Sequence, residues 1–232
     1  MAVISLGEGV PAMLLAAGRG KRMRPLTDHL PKALLPVGDK TLIEHHLLAL
    51  AKAGIDDIVI NTSYLGSLLR EALADGDEYG VHIRYSDEGN QPLETAGGIA
   101  NALPMLGEKF LVINADIWTD FEFDALRAPA KSLAHLVLVD NPPHHPDGDF
   151  ALLDSALSNQ AQNRLTYAGI GVFRAELFAD LGAGAAPLAP LLRHAADAGH
   201  ATGEHYQGDW LDVGTPQRLA QLCRRLAADR MP

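Results

Sequence analysis

Short apolar runs alternate with amphipathic stretches along the first half of the chain. Ala12 to Ala16 is a compact apolar run that ends at Gly18, the pattern of a buried strand entering a loop. Behind Thr41 and Glu44, which have the spacing of a capping box, Leu42, Ile43, Leu47 and Leu50 recur at helical spacing until Gly54 supplies a stop. The same reading predicts strands over 57–61, 81–86 and 109–114 and helices over 64–73 and 95–103. Regular alternation of this kind argues for parallel βαβ units with right-handed crossovers. The expected fold is therefore α/β, a doubly wound, mostly parallel Rossmann-like sheet with ligands at the carboxyl ends of its strands.

Beyond about residue 130 the alternation weakens. A strand over 133–139, a turn-rich passage over 141–148 and a β-rich stretch over 164–173 read as a small inserted lobe. Helical patterns return over 175–181, 187–198 and 216–228, with a short strand at 210–212 before the last. The expected organisation is one domain: a first half over about 11–130, the lobe over about 131–215, and a C-terminal helix over 216–232.

Composition narrows the functional classes. A chain of 232 residues can bury one substantial core unaided, and 47% hydrophobic with 21% charged residues leaves no case for extended disorder. The one cysteine, Cys223, cannot form an intramolecular disulfide, which fits a reducing cytoplasm. The first residues lack a basic segment followed by a continuous apolar one, and no apolar run reaches about 18 residues, so neither secretion nor membrane spanning is expected. A net charge of −10 disfavours a polyanionic partner, so nucleic-acid binding is not expected. Against that background Arg19, Lys21, Arg22, Arg24 and Lys32 gather five of the nineteen Lys and Arg residues into one short segment. Such a cluster is either a solvated loop or a small-anion site.

The string Leu14-Leu15-Ala16-Ala17-Gly18-Arg19-Gly20-Lys21-Arg22-Met23-Arg24-Pro25, followed by Pro31-Lys32, favours the anion site. Small residues let the main chain approach phosphates, successive N–H groups form an anion-binding concavity, and the cations add charge. Two other phosphate loops do not fit. Met23 occupies the third glycine of a dinucleotide fingerprint, and no Gly-Lys-Ser/Thr follows at Walker spacing. The string resembles the opening motif of the sugar nucleotidyltransferase family, whose members join a nucleoside monophosphate from an NTP to a sugar phosphate. The resemblance implies that Ala17, Gly18, Gly20, Lys21 and Arg22 hold the triphosphate. It further implies that Arg22 stabilises charge on the departing pyrophosphate and that Lys32 meets the α-phosphate or the acceptor phosphate, these two being the catalytic candidates.

Three more segments extend the resemblance. Leu93-Glu94-Thr95-Ala96-Gly97-Gly98 reads on its own as a helix start with Thr95 as cap. In the family a similar segment packs its backbone against base and ribose, which nominates Gly97 and Gly98 for the nucleotide; Glu94 stands where the family more often has glycine. Asn114-Ala115-Asp116 closes an apolar strand, and Trp210-Leu211-Asp212-Val213-Gly214 lies near the C-terminus. Two aspartates from separate strand ends suit Mg²⁺, which takes few carboxylates, several waters and phosphate oxygens. By resemblance Asp116 and Asp212 are the metal ligands and Asn114 contacts the nucleotide, with Trp118 and Trp210 as packing residues. In the lobe, which would hold the sugar, Asn141, Asp149 and the backbone of Gly169 are the candidates, each also a plausible turn former. The Glu-Lys-Pro that supplies a phosphate-binding lysine in many relatives is missing, and Arg164 is a candidate replacement.

The ten histidines show no zinc-like spacing. The implied ligands are Mg²⁺, an NTP with UTP favoured, and a sugar 1-phosphate, with a monomer or small homo-oligomer expected. A non-catalytic sensor on the same fold would have lost metal or phosphate residues, yet Arg22, Lys32, Asp116 and Asp212 are all present.

Overall fold

The computed structural model describes residues 3–5, 9–89 and 91–228. In chain order its strands are β1 (Val3–Ser5), β2 (Ala12–Leu15), β3 (Pro36–Val37), β4 (Lys40–Thr41), β5 (Asp57–Thr62), β6 (His82–Asp87), β7 (Lys109–Asn114) and β8 (Ile117–Thr119). There follow β9 (Arg127–Pro129), β10 (Ala134–Val139), β11 (Ala151–Leu153), β12 (Ala156–Ser158), β13 (Thr166–Arg174), β14 (Ala201–His205) and β15 (Trp210–Asp212). The helices are α1 (Leu42–Lys52), α2 (Gly66–Leu73), α3 (Glu94–Leu106), α4 (Leu188–Asp197) and α5 (Pro216–Ala228).

One mixed sheet organises the chain, in the order β11-β12-β14-β10-β13-β7-β2-β5-β6. Its β7-β2-β5-β6 side is parallel throughout, as the alternating pattern predicts. The segment read as an inserted lobe extends this same sheet: β13 joins β7 antiparallel, β10 joins β13 antiparallel, and β14 runs parallel to β10. Two short antiparallel pairs matter for the site, β8 with β15 and β3 with β4.

Alternation of side chains across the pleat splits the core into two layers. Ala12, Leu14, Ile58, Ile60, Leu111 and Ile113 face α1 and α2, whereas Met13, Val59, Phe110 and Val112 face α3 and α4. Full burial of each such side chain contributes about 1.5–3 kcal/mol. A third, smaller cluster joins Met23, Leu35, Val37 and Leu42 to Val213, Leu219 and Leu222 beneath α5. It ties the loop after the first central strand to the last helix.

Most elements fall within a few residues of their expected places, and the exceptions have local causes. The helix predicted over 64–73 starts at Gly66 because Leu65 takes φ 56°. The helix predicted over 175–181 is a single 3₁₀ turn, Ala175–Phe178, pinned by Phe178 against Phe110 and Phe173 at ring distances of 6.1 Å. The unexpected strand β14 reads ATGEH, without an apolar run; it is defined by pairing with β10 rather than by its own pattern. Residues 229–232 of the predicted C-terminal helix lie outside the described residues.

Candidate active site

The loop after β2 is held in shape by its own side chains. Gly20 takes φ 61°, and a Cβ there would stand 3.1 Å from Thr27 Cγ2 and 3.3 Å from Lys32 Cβ, so glycine meets both the backbone and the packing requirement. Thr27 Oγ1 donates to the Gly20 carbonyl at 2.9 Å. Residues 21–23 then make a 3₁₀ turn in which Met23 is fully buried while Lys21 and Arg22 stay exposed. The apolar residue anchors the turn, and the cations remain available to a ligand. Arg19 and Arg24 are occupied elsewhere, Arg19 over the Tyr64 ring at 4.8 Å and Arg24 on Asp28 at 2.5 Å.

Asn61, at the end of β5 and 4% exposed, sets the floor. Its Oδ1 accepts from Ala16 N at 2.7 Å and from Ala17 N at 3.4 Å, and its Nδ2 donates to Glu88 Oε1 at 2.6 Å. Glu88 Oε2 in turn accepts from Leu93 N at 3.1 Å. These bonds join the ends of three parallel strands around a cavity of about 380 Å³. Its lining includes the cationic loop, with Gly18, Gly20, Lys21, Arg22 and Lys32, and the group Asn61, Glu88, Glu94 and Thr95. Ala17, Asn114, Asp116 and Gly214 complete the wall. Lys32 Nζ lies 2.6 Å from Asp116 Oδ2, and the lysine side chain is only 10% exposed, so this ion pair fixes both groups.

Asp212 is brought alongside by β15. Asp212 pairs with Ile117 across the β8–β15 ladder, and Val213 N donates to the Asp116 carbonyl at 2.9 Å. Asp212 Oδ2 is held by Arg218 Nη1 at 3.0 Å, with His144 Nε2 3.3 Å away. A Cβ on Gly214 would stand 2.9 Å from Asp212 Oδ1 and 3.2 Å from Arg22 Nη2. The bare glycine therefore lets the cradle cation and the second aspartate approach one another. Trp210 anchors the strand by donating Nε1 to Ala168 O at 2.8 Å, and Trp118 lies under Arg225 at 5.6 Å. Below Asp116, buried His46 bonds Ile117 O at 2.9 Å, and burial pushes its imidazole down to about 4.

Gly97 and Gly98 stand elsewhere than the sequence suggests. A Cβ on Gly97 would meet Gly184 O at 2.3 Å, and one on Gly98 would meet Glu88 Oε1 at 2.4 Å. Both glycines serve close packing of α3 behind the wall, while Glu94 and Thr95 line it. Thr95 is not the cap either: α3 begins at Glu94, with Leu93 as the N-cap residue. Glu94 itself takes φ 57°, a left-handed conformation that costs a non-glycine residue about 1 kcal/mol.

A second cavity of about 560 Å³ adjoins the first and shares Glu94, Thr95 and Asn114 with it. Its walls are mostly apolar, with Phe150, Pro187, Leu188 and Leu192, and its polar lining includes Asp149, Tyr167 and Arg193. Asp149 is there as predicted, yet both its oxygens are engaged, Oδ1 with His145 Nε2 at 3.2 Å and Oδ2 with Tyr167 N at 2.8 Å. The Tyr167 hydroxyl is buried without a hydrogen-bond partner among the described residues. Burial, with the Asp149 charge adding to it, pushes this phenol above its ordinary range, so it is a ready donor.

Asn141 does not reach this cavity. Its Nδ2 donates to Pro146 O and Arg164 O, each at 2.9 Å, and its Oδ1 accepts from Thr166 Oγ1 at 2.8 Å, so it is the clasp of the 141–148 turn. Gly169, at φ 77°, lies behind Asn114; a Cβ would stand 2.6 Å from Asn114 Nδ2. Arg164 donates to Asn159 O and lines neither cavity. The residues missed by sequence reasoning are Asn61, Glu88, Tyr167, Arg193 and Arg218. Asn61 had a signal, since it closes an apolar strand just as Asn114 does, whereas the others depend on pairings distant in sequence.

Comparison with known proteins agrees with this geometry. The family profile described as Nucleotidyl transferase matches residues 11–162. An N-acetylmuramate alpha-1-phosphate uridylyltransferase of Neisseria meningitidis serogroup B is 52% identical, covering 90% of this chain and 95% of that protein. One from Caulobacter vibrioides is 36% identical, covering 93% and 96%. The solved structure of the inositol-1-phosphate CTP transferase from T. maritima superposes with a TM-score of 0.77 over 95% of this chain and 97% of that one, at 18% identity. That likeness bears on the fold alone. With the glycine-lined cationic loop, the strand-end aspartates and near full-length relatives in agreement, the chain belongs to the nucleotidyl transferase family.

Proposed function

We propose that the protein transfers UMP from UTP to N-acetylmuramate 1-phosphate, giving UDP-N-acetylmuramate and pyrophosphate. The observation that carries the reading is the pair of joined cavities, one cationic and one largely apolar, meeting at Glu94, Thr95 and Asn114. Triphosphate suits the first and a sugar ring the second, so the acceptor phosphate meets the nucleotide α-phosphorus on the Asn114 and Asp116 side of the junction, away from Glu94. The names of two near full-length relatives support the choice of uracil and of acceptor. An N-acetylmuramate phosphate is a cell-wall sugar, which assigns the reaction to peptidoglycan recycling in the cytoplasm.

Arg22 and Lys21 bind the β- and γ-phosphates and stabilise charge as pyrophosphate departs; Lys32 reaches the α-phosphate while holding Asp116 in place. Asn114 positions the nucleotide at the junction, and Arg193 is the cation nearest the acceptor. Asp116 and Asp212 are the residues that would hold Mg²⁺. The donor set fits: two carboxylates on adjacent backbones leave further positions to phosphate oxygens and water. When bound, the ion supplies charge neutralisation at the reacting phosphate.

Pyrophosphate release, followed with each of four NTPs against N-acetylmuramate 1-phosphate, glucose 1-phosphate, mannose 1-phosphate and phosphocholine, tests the proposal. The expected result is turnover with UTP and N-acetylmuramate 1-phosphate that EDTA abolishes and Mg²⁺ restores. Faster turnover with another pair reassigns the substrates, and binding without pyrophosphate release from any pair sinks the enzymatic reading.

A further inference from the structure

The wall shared by the two cavities holds an acid in a costly conformation. Glu94 adopts φ 57°, where glycine sits freely and an L side chain does not. Its residue lines both cavities, and its carboxylate makes no hydrogen bond or ion pair with any described residue. The other carboxylates on these walls are engaged: Asp116 by Lys32, Glu88 by Asn61 and the Leu93 N–H, Asp149 by His145 and the Tyr167 N–H. Glu94 is thus the unengaged acid acceptor among the described residues at the junction.

What meets it follows from charge. The cations are grouped around Asp116 and Gly214, with Lys32 on Asp116 and Arg22 beside Gly214, whereas Glu94 follows Leu93 on the side tied to Glu88, so phosphates are drawn to the first group and repelled from Glu94. The uncharged part of a nucleotide, its nucleoside, faces the acidic side. A ribose presents neighbouring 2′- and 3′-hydroxyl donors that match two carboxylate oxygens, and an acidic side chain on ribose hydroxyls is a recurrent way to select nucleotides. We infer that Glu94 is a specificity-determining residue that accepts hydrogen bonds from the ribose hydroxyls and so selects ribonucleotides over deoxyribonucleotides. This rests on the proposed placement of the nucleotide in the first cavity. The field at a helix N-terminus also favours an acid in the first turn, but it does not account for the left-handed backbone.

Calorimetric binding of UTP and 2′-deoxy-UTP, measured without acceptor, tests the inference in the wild type, Glu94→Gly and Glu94→Gln. The wild type should prefer UTP by about tenfold or more, the scale of a hydrogen bond to a charged group. In Glu94→Gly the preference should shrink to within about twofold, through weaker UTP binding, while the melting temperature holds or rises because glycine relieves the backbone. Glu94→Gln should fall between the two in preference. An unchanged preference in Glu94→Gly overturns the inference, as does a wild type with no preference. A protein that binds UTP but transfers nothing refutes the proposed reaction and leaves this inference to be judged on the binding ratio.

Discussion

The two cavities are built on opposite plans. In the first, a network of polar groups on the wall is already paired within the protein: Asn61 with Ala16 and Glu88, Lys32 with Asp116. In the second, apolar side chains dominate and the hydroxyl of Tyr167 has no partner among the described residues. A prepaired site needs little reorganisation when charge develops, which suits phosphoryl chemistry common to a whole family. An apolar site with a buried, unpaired donor discriminates by what it leaves unsatisfied, which suits recognition of one acceptor. On the proposed reading, the chemistry and the choice of acceptor are thereby separated in space.

The largest effect expected from breaking this separation is at Arg22. Arg22→Ala should lower kcat about a hundredfold or more with every acceptor, and leave the melting temperature unchanged because the side chain is exposed. Steady-state rates with two acceptors check it; a loss seen with only one would erase the division of labour.

Acid should loosen the first cavity before the second. His46 is held near 4 in the folded protein against about 6.5 when exposed, so between these values the unfolded chain binds the proton and the folded one does not. Stability therefore rises with pH across that window, and falling through it costs up to about 3 kcal/mol. Urea unfolding as a function of pH should show this slope, and His46→Gln should flatten it. Hydrogen exchange at pH 5 should open α1 before α4.

Smaller effects belong to the second cavity. Asn141→Ala strips the clasp from the 141–148 turn and should destabilise the protein by about 2 kcal/mol in chemical denaturation, raising the acceptor KM but not that of UTP. Tyr167→Phe should raise the acceptor KM about fivefold while gaining up to about 1 kcal/mol of stability, because an unpaired hydroxyl leaves the interior. A variant that instead lost stability would show that the hydroxyl is satisfied in the folded protein.

The parallel half of the fold is legible in the sequence because each of its elements carries its own signal. The β2 run and the Thr41–Glu44 cap are each confined to a few consecutive residues, and Thr41 N does donate to Glu44 Oε2 at 2.5 Å. The cradle is legible for the same reason. The second cavity is not, since Phe150, Tyr167 and Leu192 meet only after β13 and α4 take their places against the sheet. Gly97 and Gly98 are hard to read from sequence in an instructive way: glycines beside a ligand site look alike whether they face the ligand, a neighbouring backbone as Gly97 does, or a lining side chain as Gly98 does with Glu88. Asn141 misleads similarly, because a turn-forming amide and a sugar-binding amide are the same side chain.

The cluster that joins Met23 to Val213 and Leu222 has a consequence for synthesis. A polypeptide emerging from the ribosome can pair its parallel strands before α5 is made, but Met23 then lacks Val213, Leu219 and Leu222 to pack against. If Asp212 serves the ion as proposed, an unfinished copy has neither an anchored phosphate loop nor a complete centre. Loop and metal ligands then become competent together, when α5 docks through Leu219 and Leu222.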